Sequence, residues 1–348
     1  MLRSRACVHN DDGMTGLAPR GHGGVRRVLV RVTLLASSVL LTLLALEVVV
    51  RIAVPQWQGL VPQRFMTMTE GGVLAGVPNF DGRVDSLFGD FDIRLQLDDR
   101  GFRNPPGADP AAPLAFIGDS FCQGWGVQRE QSFSALAAKQ LGIESYNYCT
   151  VGADLLDDLR VLRTWLPPRS GGTTVLTVTF ENDVLAYPES AGDGTPSDSV
   201  QGLSRSTWSR WLMNHSALFD VATTLARQNT TIVTTVRRLG LMSGVPVVET
   251  AGADSIAASV RMVGLIKRAA GDGPFVVLLV PPRPGQVEFL DYDAFVSQLV
   301  AAGFDVIDPR AHPQITLSTI PHDGHWDAAT HAAIAPLVAE RLKQVVAR

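Results

Sequence analysis

Three side chains in this sequence have the types and the setting for nucleophilic chemistry: Ser120, Asp323 and His325. Ser120 stands in Leu114-Ala-Phe-Ile-Gly-Asp-Ser-Phe-Cys-Gln-Gly-Trp-Gly-Val127, where four apolar residues after Pro113 predict a short buried strand. Gly118 permits a tight turn. Ser120 then falls just past the strand's carboxyl end, where open α/β sheets place their ligands. A hydroxyl exposed at such a corner becomes a nucleophile once a base takes its proton. Gly-Asp-Ser also spells an ordinary turn, so the serine needs partners. They are offered by Pro321-His-Asp-Gly-His-Trp-Asp-Ala-Ala-Thr-His331. Asp323 and His325 are two apart ahead of a helical stretch, so one short loop can hold a carboxylate against an imidazole and fix its tautomer. His322 and His331 are equally available by type, and Asp327 also suits a helix N-cap.

The elements that must position these groups alternate between strand and helix. Strands are expected at Leu114 to Ile117, Ser145 to Tyr148, Val175 to Phe180, Phe275 to Val280 and Phe304 to Asp308. Helical periods fall at Phe133 to Leu141, over 154–166, and from Ala328 onward, with Pro336 marking a kink or a restart. This alternation predicts a parallel, doubly wound α/β sheet. Gly152 follows the second strand, where its N–H can face a developing oxyanion. Asn182 follows the third, where its side-chain amide can do the same. Taken singly, each also reads as a turn or cap residue.

The chain has 348 residues, 46% of them hydrophobic, with a formal net charge of −4, which excludes a disordered chain overall and a basic nucleic-acid binder. Residues 1–27 are rich in Gly and Arg without apolar period and read as a disordered arm. From Val28 to Val50 the only charges are Arg31 and Glu47, a length suited to crossing a hydrocarbon core of about 30 Å. Arg20, Arg26, Arg27 and Arg31 precede or open this run, so a single-pass anchor over 28–54 would leave the N-terminus cytoplasmic and the body extracytoplasmic. Glu47 and Arg51 can pair near its far end. No A-x-A-like site follows, which favours an anchor over a cleaved signal peptide, and the missing charged face disfavours a core helix. Residues 55–94 read as a linker and loosely structured lead-in, and 95–348 as the folded body. That body carries an insertion at about 187–245, where Trp208, Trp211, Leu212 and Phe219 recur at helical spacing.

With these motifs in order, the chain resembles the SGNH hydrolases, or GDSL-like esterases. The resemblance lies in Gly118-Asp119-Ser120, Gly152, Glu181-Asn182-Asp183 and Asp323-Gly-His325, each placed after its strand or before the last helix. It covers about residues 95–348, with the insertion poorly matched. It implies a three-layer α/β/α fold with a five-stranded parallel flavodoxin-like sheet. It also implies a Ser120 nucleophile, His325 as base, Asp323 as its partner, and an oxyanion hole from Ser120, Gly152 and Asn182. No metal or cofactor is implied. Cys122, Glu181 and the single residue between Asp323 and His325 depart from the usual pattern. That shorter spacing also occurs in members acting on polysaccharide acetyl groups. The lead-in phrase Leu95 to Arg103, behind an N-terminal anchor, is similar to the membrane-tethered bacterial branch.

The expected activity is therefore hydrolysis of an ester, on an acylated glycan or another envelope ester, with no nucleic-acid partner. Acyl transfer to a sugar hydroxyl would use the same acyl-serine, and a non-catalytic envelope-binding module would keep the fold alone. Three cysteines lack zinc-site spacing. Cys122 and Cys149 lie near the ends of strands expected to be adjacent, where they form either a disulfide or two buried thiols.

Overall fold

The structure, a computed structural model, describes residues 22–53, 65–68, 74–86, 89–169, 171–191, 212, 215–228, 253–282 and 291–346. It divides into two units, Met1–Ile52 and Ala53–Arg348.

The described residues of the first unit belong to helix α1 (His22–Ala53), which begins inside the stretch read from sequence as a disordered arm. Its stretch Arg26–Ala53 has 28 residues, a mean hydropathy of 2.2 and no buried residue. At 1.5 Å per residue that is about 42 Å of helix, more than a hydrocarbon core requires. Leucines and valines point outward on every side, as in a helix made for an apolar surrounding. Glu47 and Arg51 do pair, at 2.7 Å, so this end carries no lone charge.

The second unit is built on a five-stranded parallel sheet. Its strands are β5 (Leu114–Ile117), β6 (Ser145–Asn147), β7 (Thr173–Thr179), β8 (Phe275–Val280) and β9 (Asp305–Ile307), in the spatial order β6-β5-β7-β8-β9. This is the flavodoxin-like order that the resemblance implies. Because successive side chains face opposite sides, β5 divides its residues between two cores. Ala115 and Ile117 join Leu176, Val178, Val277 and Leu279 on one face. Leu114 and Phe116 join Val175, Val276, Leu278 and Val280 on the other. Burial on both faces is why these strands read as continuous apolar runs.

Helices cover each face. On the first lie α4 (Leu155–Trp165), α7 (Ala253–Ala270) and α8 (Tyr292–Ala301); on the second lie α3 (Phe133–Leu141) and α9 (Ala328–Val346). Two short helices, α2 (Ser120–Gln123) and α5 (Phe180–Asp183), sit directly after β5 and β7. Helix α9 continues through Pro336 rather than restarting there. Between α5 and α7 the described part of the insertion includes α6 (Ala217–Gln228). Residues 192–211 and 229–252, with Trp208 and Trp211, lie outside the described residues.

One expectation is corrected. The segment read as a loosely structured lead-in carries two antiparallel hairpins, β1 (Met66–Met68) with β2 (Leu74–Gly76) and β3 (Asp81–Asp85) with β4 (Asp92–Gln96). Ile93, Leu95 and Leu97 turn inward, Arg94 outward, and the inward set joins Phe65, Met66, Val84 and Phe91 in a third apolar cluster. That cluster also takes in Trp125 and Ile320, one from each side of the site described next. On the solvent face Arg83 pairs with Asp92 and Arg94 with Asp81, exposed contacts worth little stability. Burial of the apolar face, not these pairs, holds the hairpins down.

Candidate active site

Strand β5 ends at Gly118, whose φ of +143° and near contact with Thr177 O explain its type. A Cβ there would lie 2.9 Å from that oxygen. Asp119 then caps α2, its side chain accepting from the Phe121 N–H at 2.9 Å. Ser120 is the first residue of that helix, in the crevice beside β7 where the strand order reverses.

The candidate base arrives from the opposite end of the chain. Residues 320–325 form a closed loop in which Ile320 N–H donates to the His325 carbonyl at 2.8 Å and Gly324 N–H to the Ile320 carbonyl at 2.8 Å. This loop brings His325 Nε2 to 2.7 Å from Ser120 Oγ, across 205 positions of sequence. On the other side of the ring, His325 Nδ1 is in short contact with Asp323 Oδ1, and the same oxygen accepts the His325 N–H at 3.2 Å. The Phe121 ring lies 4.7 Å from the imidazole and limits its swing. The three groups proposed from spacing therefore form one continuous hydrogen-bonded line.

A fourth group was not foreseen. Trp125 Nε1–H donates to Asp323 Oδ2 at 3.1 Å, so both carboxylate oxygens are fixed. Burial by itself would push the Asp323 carboxyl up. The hydrogen bond and charge of His325, with the Trp125 indole, outweigh it and hold the group below its usual range. Only the flanking Gly124 and Gly126 marked Trp125 in the sequence, as a bulky residue in a constrained turn. Gly126 has a φ of +77°, a left-handed backbone that favours glycine, and a Cβ there would also displace the tip of the Ile320 side chain. Trp125→Phe keeps the ring in its cluster but removes the donor. We predict about a tenfold lower kcat with KM nearly unchanged, read by steady-state kinetics. An unchanged kcat would show that the second tie to Asp323 is dispensable.

The other candidate histidines do different things. His331 is buried, its Nδ1 accepts the Phe133 N–H at 3.2 Å, and burial pulls its pKa down to about 3, so it stays neutral. His322 is exposed and meets Asp90 of the β3–β4 turn at 3.0 Å. Asp327 is the helix cap, accepting from Thr330 N–H at 2.8 Å.

The donors expected to face an oxyanion are placed unequally. The loop after β6 is laced to the Ser120 corner by Thr150 N–H on the Gly118 carbonyl at 2.8 Å. Among the described residues, neither the Ser120 nor the Gly152 N–H has a hydrogen-bond partner. Asn182, on α5, has both amide hydrogens engaged: Nδ2 donates to the Ala153 carbonyl at 2.8 Å and to Asp183 Oδ1 at 3.2 Å. It ties the Gly152 loop to the end of β7. Cys122 and Cys149 form a disulfide with a Cα separation of 5.6 Å, a second tie between the same two loops.

Around this corner four carboxyls are buried, Asp154, which caps α4, and three others, Asp119, Asp158 and Asp183. Burial raises Asp119, Asp158 and Asp183, and for Asp158 and Asp183 the neighbouring acids add to it. Asp158 Oδ1 has no partner among the described residues. A carboxyl raised in the fold favours folding fully below its unfolded value near 3.9, and that contribution fades as pH rises. Asp158→Asn removes this cost. We predict a melting temperature about 2–4 °C above wild type at pH 8, closing towards pH 4. A gap independent of pH would contradict this.

Fold and site together describe a three-layer α/β protein with a serine, histidine and aspartate in line at the sheet's carboxyl edge. Among solved structures, the chain is similar to a protein assigned to the G-D-S-L lipolytic family from Desulfitobacterium hafniense DCB-2. That match has 11% identity and a TM-score of 0.36, covering 66% of this chain and 98% of the other. It is also similar to a family two carbohydrate esterase from Clostridium thermocellum in complex with cellohexaose, at 12% identity and a TM-score of 0.35. There it covers 67% of this chain and 64% of the other, just under two thirds of that protein. A Corynascus thermopiles (Myceliophthora fergusii) carbohydrate esterase family 2 enzyme with its carbohydrate binding domain matches at 14% identity and a TM-score of 0.37. It covers 71% and 70% of the two chains. No family model and no curated protein matches this chain.

Proposed function

We propose that this chain is a serine-dependent ester hydrolase of the SGNH type, acting through an acyl-Ser120 intermediate. The observation that carries this reading is the line Ser120 Oγ, His325 Nε2 at 2.7 Å, His325 Nδ1 and Asp323. In that line His325 takes the Ser120 proton as Oγ attacks an ester carbonyl, and Asp323 stabilises the imidazolium that forms. The oxyanion is received by the Ser120 and Gly152 N–H groups. Asn182 adds a third donor once its hydrogen bond to Asp183 is given up to the substrate. His325 then protonates the leaving alcohol, a water attacks the acyl carbon, and Ser120 is regenerated.

The substrate class we assign is an acylated glycan or another ester of the cell envelope. Two features support it: the Asp323-Gly-His325 spacing and helix α1, read as an anchor that keeps the body on the extracytoplasmic side. The test is release of acetate from an O-acetylated oligosaccharide by the full chain in detergent, with a free sugar acceptor present. Acetate release that the acceptor does not suppress is the expected result. Acetyl appearing on the acceptor in place of free acetate would make the chain a transferase, and neither product would remove the assignment.

A further inference from the structure

Arg103 is only 2% exposed and sits behind the nucleophile loop. Its guanidinium donates to the backbone carbonyls of Gln123 at 3.3 Å, Gly124 at 2.5 Å and Val127 at 2.8 Å. All three acceptors are neutral. Among the described residues no carboxylate forms an ion pair with Arg103, and its Nε–H has no hydrogen-bond partner. Burial lowers its pKa to about 10, so it carries a full charge at neutral pH. Its charge is offset by these dipoles and, through space, by the exposed Glu130 carboxylate, which itself pairs with Arg129 at 2.5 Å. A buried cation left with a spare donor is still costly, and a counter-anion relieves it.

Space for such an anion is present. Arg103 lines a cavity of about 390 Å³ whose other inner residues include Asn104, Ser132, Ser134 and Asn147, all buried and polar. Arg129 stands at its mouth, half-buried, while the acidic lining residues Asp109 and Glu144 are exposed at the rim. The volume is many times that of a single water, about 30 Å³. Ser120, Asp323 and His325 are not among the lining residues, so the cavity is separate from the catalytic line.

We propose that this cavity binds a small oxyanion, a carboxylate or phosphate group, held by Arg103 at its base and Arg129 at its mouth. The Ser134 hydroxyl, whose bond to the Cys122 carbonyl is long at 3.5 Å, turns onto the anion, while Ser132 stays engaged with the Arg129 carbonyl at 2.8 Å. The inference does not depend on the esterase reading, because it is tested by binding alone. The full chain in detergent is titrated calorimetrically with inorganic phosphate and, separately, with glucuronate, ionic strength being held with chloride. Saturable one-to-one binding of either anion is expected, and which one binds distinguishes a phosphate from a carboxylate ligand. Arg129→Ala should weaken that binding about tenfold, and Ser134→Ala by about threefold. Arg103→Lys, which keeps a charge but loses the fork, should abolish it if the variant folds. No saturable heat with either anion overturns the proposal. So does binding that Arg129→Ala and Ser134→Ala both leave unchanged, since these variants spare the Arg103 brace.

Discussion

Ser120→Ala is expected to lower kcat/KM for an activated acetyl ester by at least about 1,000-fold while leaving the melting temperature nearly unchanged. The two halves of this expectation come from one geometry. Ser120 is buried in a short helix, and its described side-chain hydrogen bond is the one to His325 at 2.7 Å. Removing one oxygen leaves no apolar cavity and leaves the helix cap, which belongs to Asp119, intact. The covalent route, however, is lost altogether. A residual rate from the oxyanion donors and binding would persist, as it does when any member of such a line is removed. Steady-state kinetics beside a thermal melt reads both halves. Turnover retained within tenfold in well-folded mutant would show that another group is the nucleophile.

Asp323→Asn is the second large effect. The carboxylate faces the His325 Nδ1, accepts the His325 backbone N–H and accepts the Trp125 indole, so it fixes both the tautomer and the tilt of the ring. An amide in its place can present a donor to Nδ1 and stabilise the wrong tautomer, at a cost of about 1,000- to 10,000-fold in kcat. The sign with pH follows from the lowered pKa of Asp323. A depressed carboxyl contributes its stability above its unfolded value of about 3.9 and gives it up only as pH falls through the lower folded value. Wild type should therefore keep this contact across the neutral range, and acid melts of Asp323→Asn should lack the corresponding loss below about pH 4. A kcat loss under tenfold would mean that Ser120 and His325 suffice as a pair.

The central sheet was readable because its strands are buried on both faces. Leu114 to Ile117 and Phe275 to Val280 admit no polar residue, and that pattern survives without any knowledge of their neighbours. The placement of Ser120 and His325 was readable for a different reason. Each sits at a chain corner bounded by glycine, and a loop of two residues' spacing brings Asp323 onto His325 whatever the distant fold. The hairpins at 66–96 were not read, although Ile93-Arg-Leu-Gln-Leu97 alternates as a half-buried strand should. Their short strands are separated by Gly and Pro and are stable only through a cluster completed by Trp125 and Ile320. The Trp125 tie to Asp323 spans 198 positions and is purely tertiary, so no local pattern announces it. Asn182 shows the opposite case. Its position was readable, but its hydrogen bonds to Ala153 and Asp183 depend on how two loops meet.

The account rests on an activated Ser120, and the most direct measurement is covalent labelling by a fluorophosphonate probe. The full chain in detergent is treated with the probe, digested and mapped by mass spectrometry, wild type beside Ser120→Ala and His325→Ala. The account predicts one modified peptide carrying the adduct on Ser120, absent in the first variant and strongly slowed in the second. A folded wild-type protein that stays unlabelled, or that carries the adduct on another residue, would contradict it.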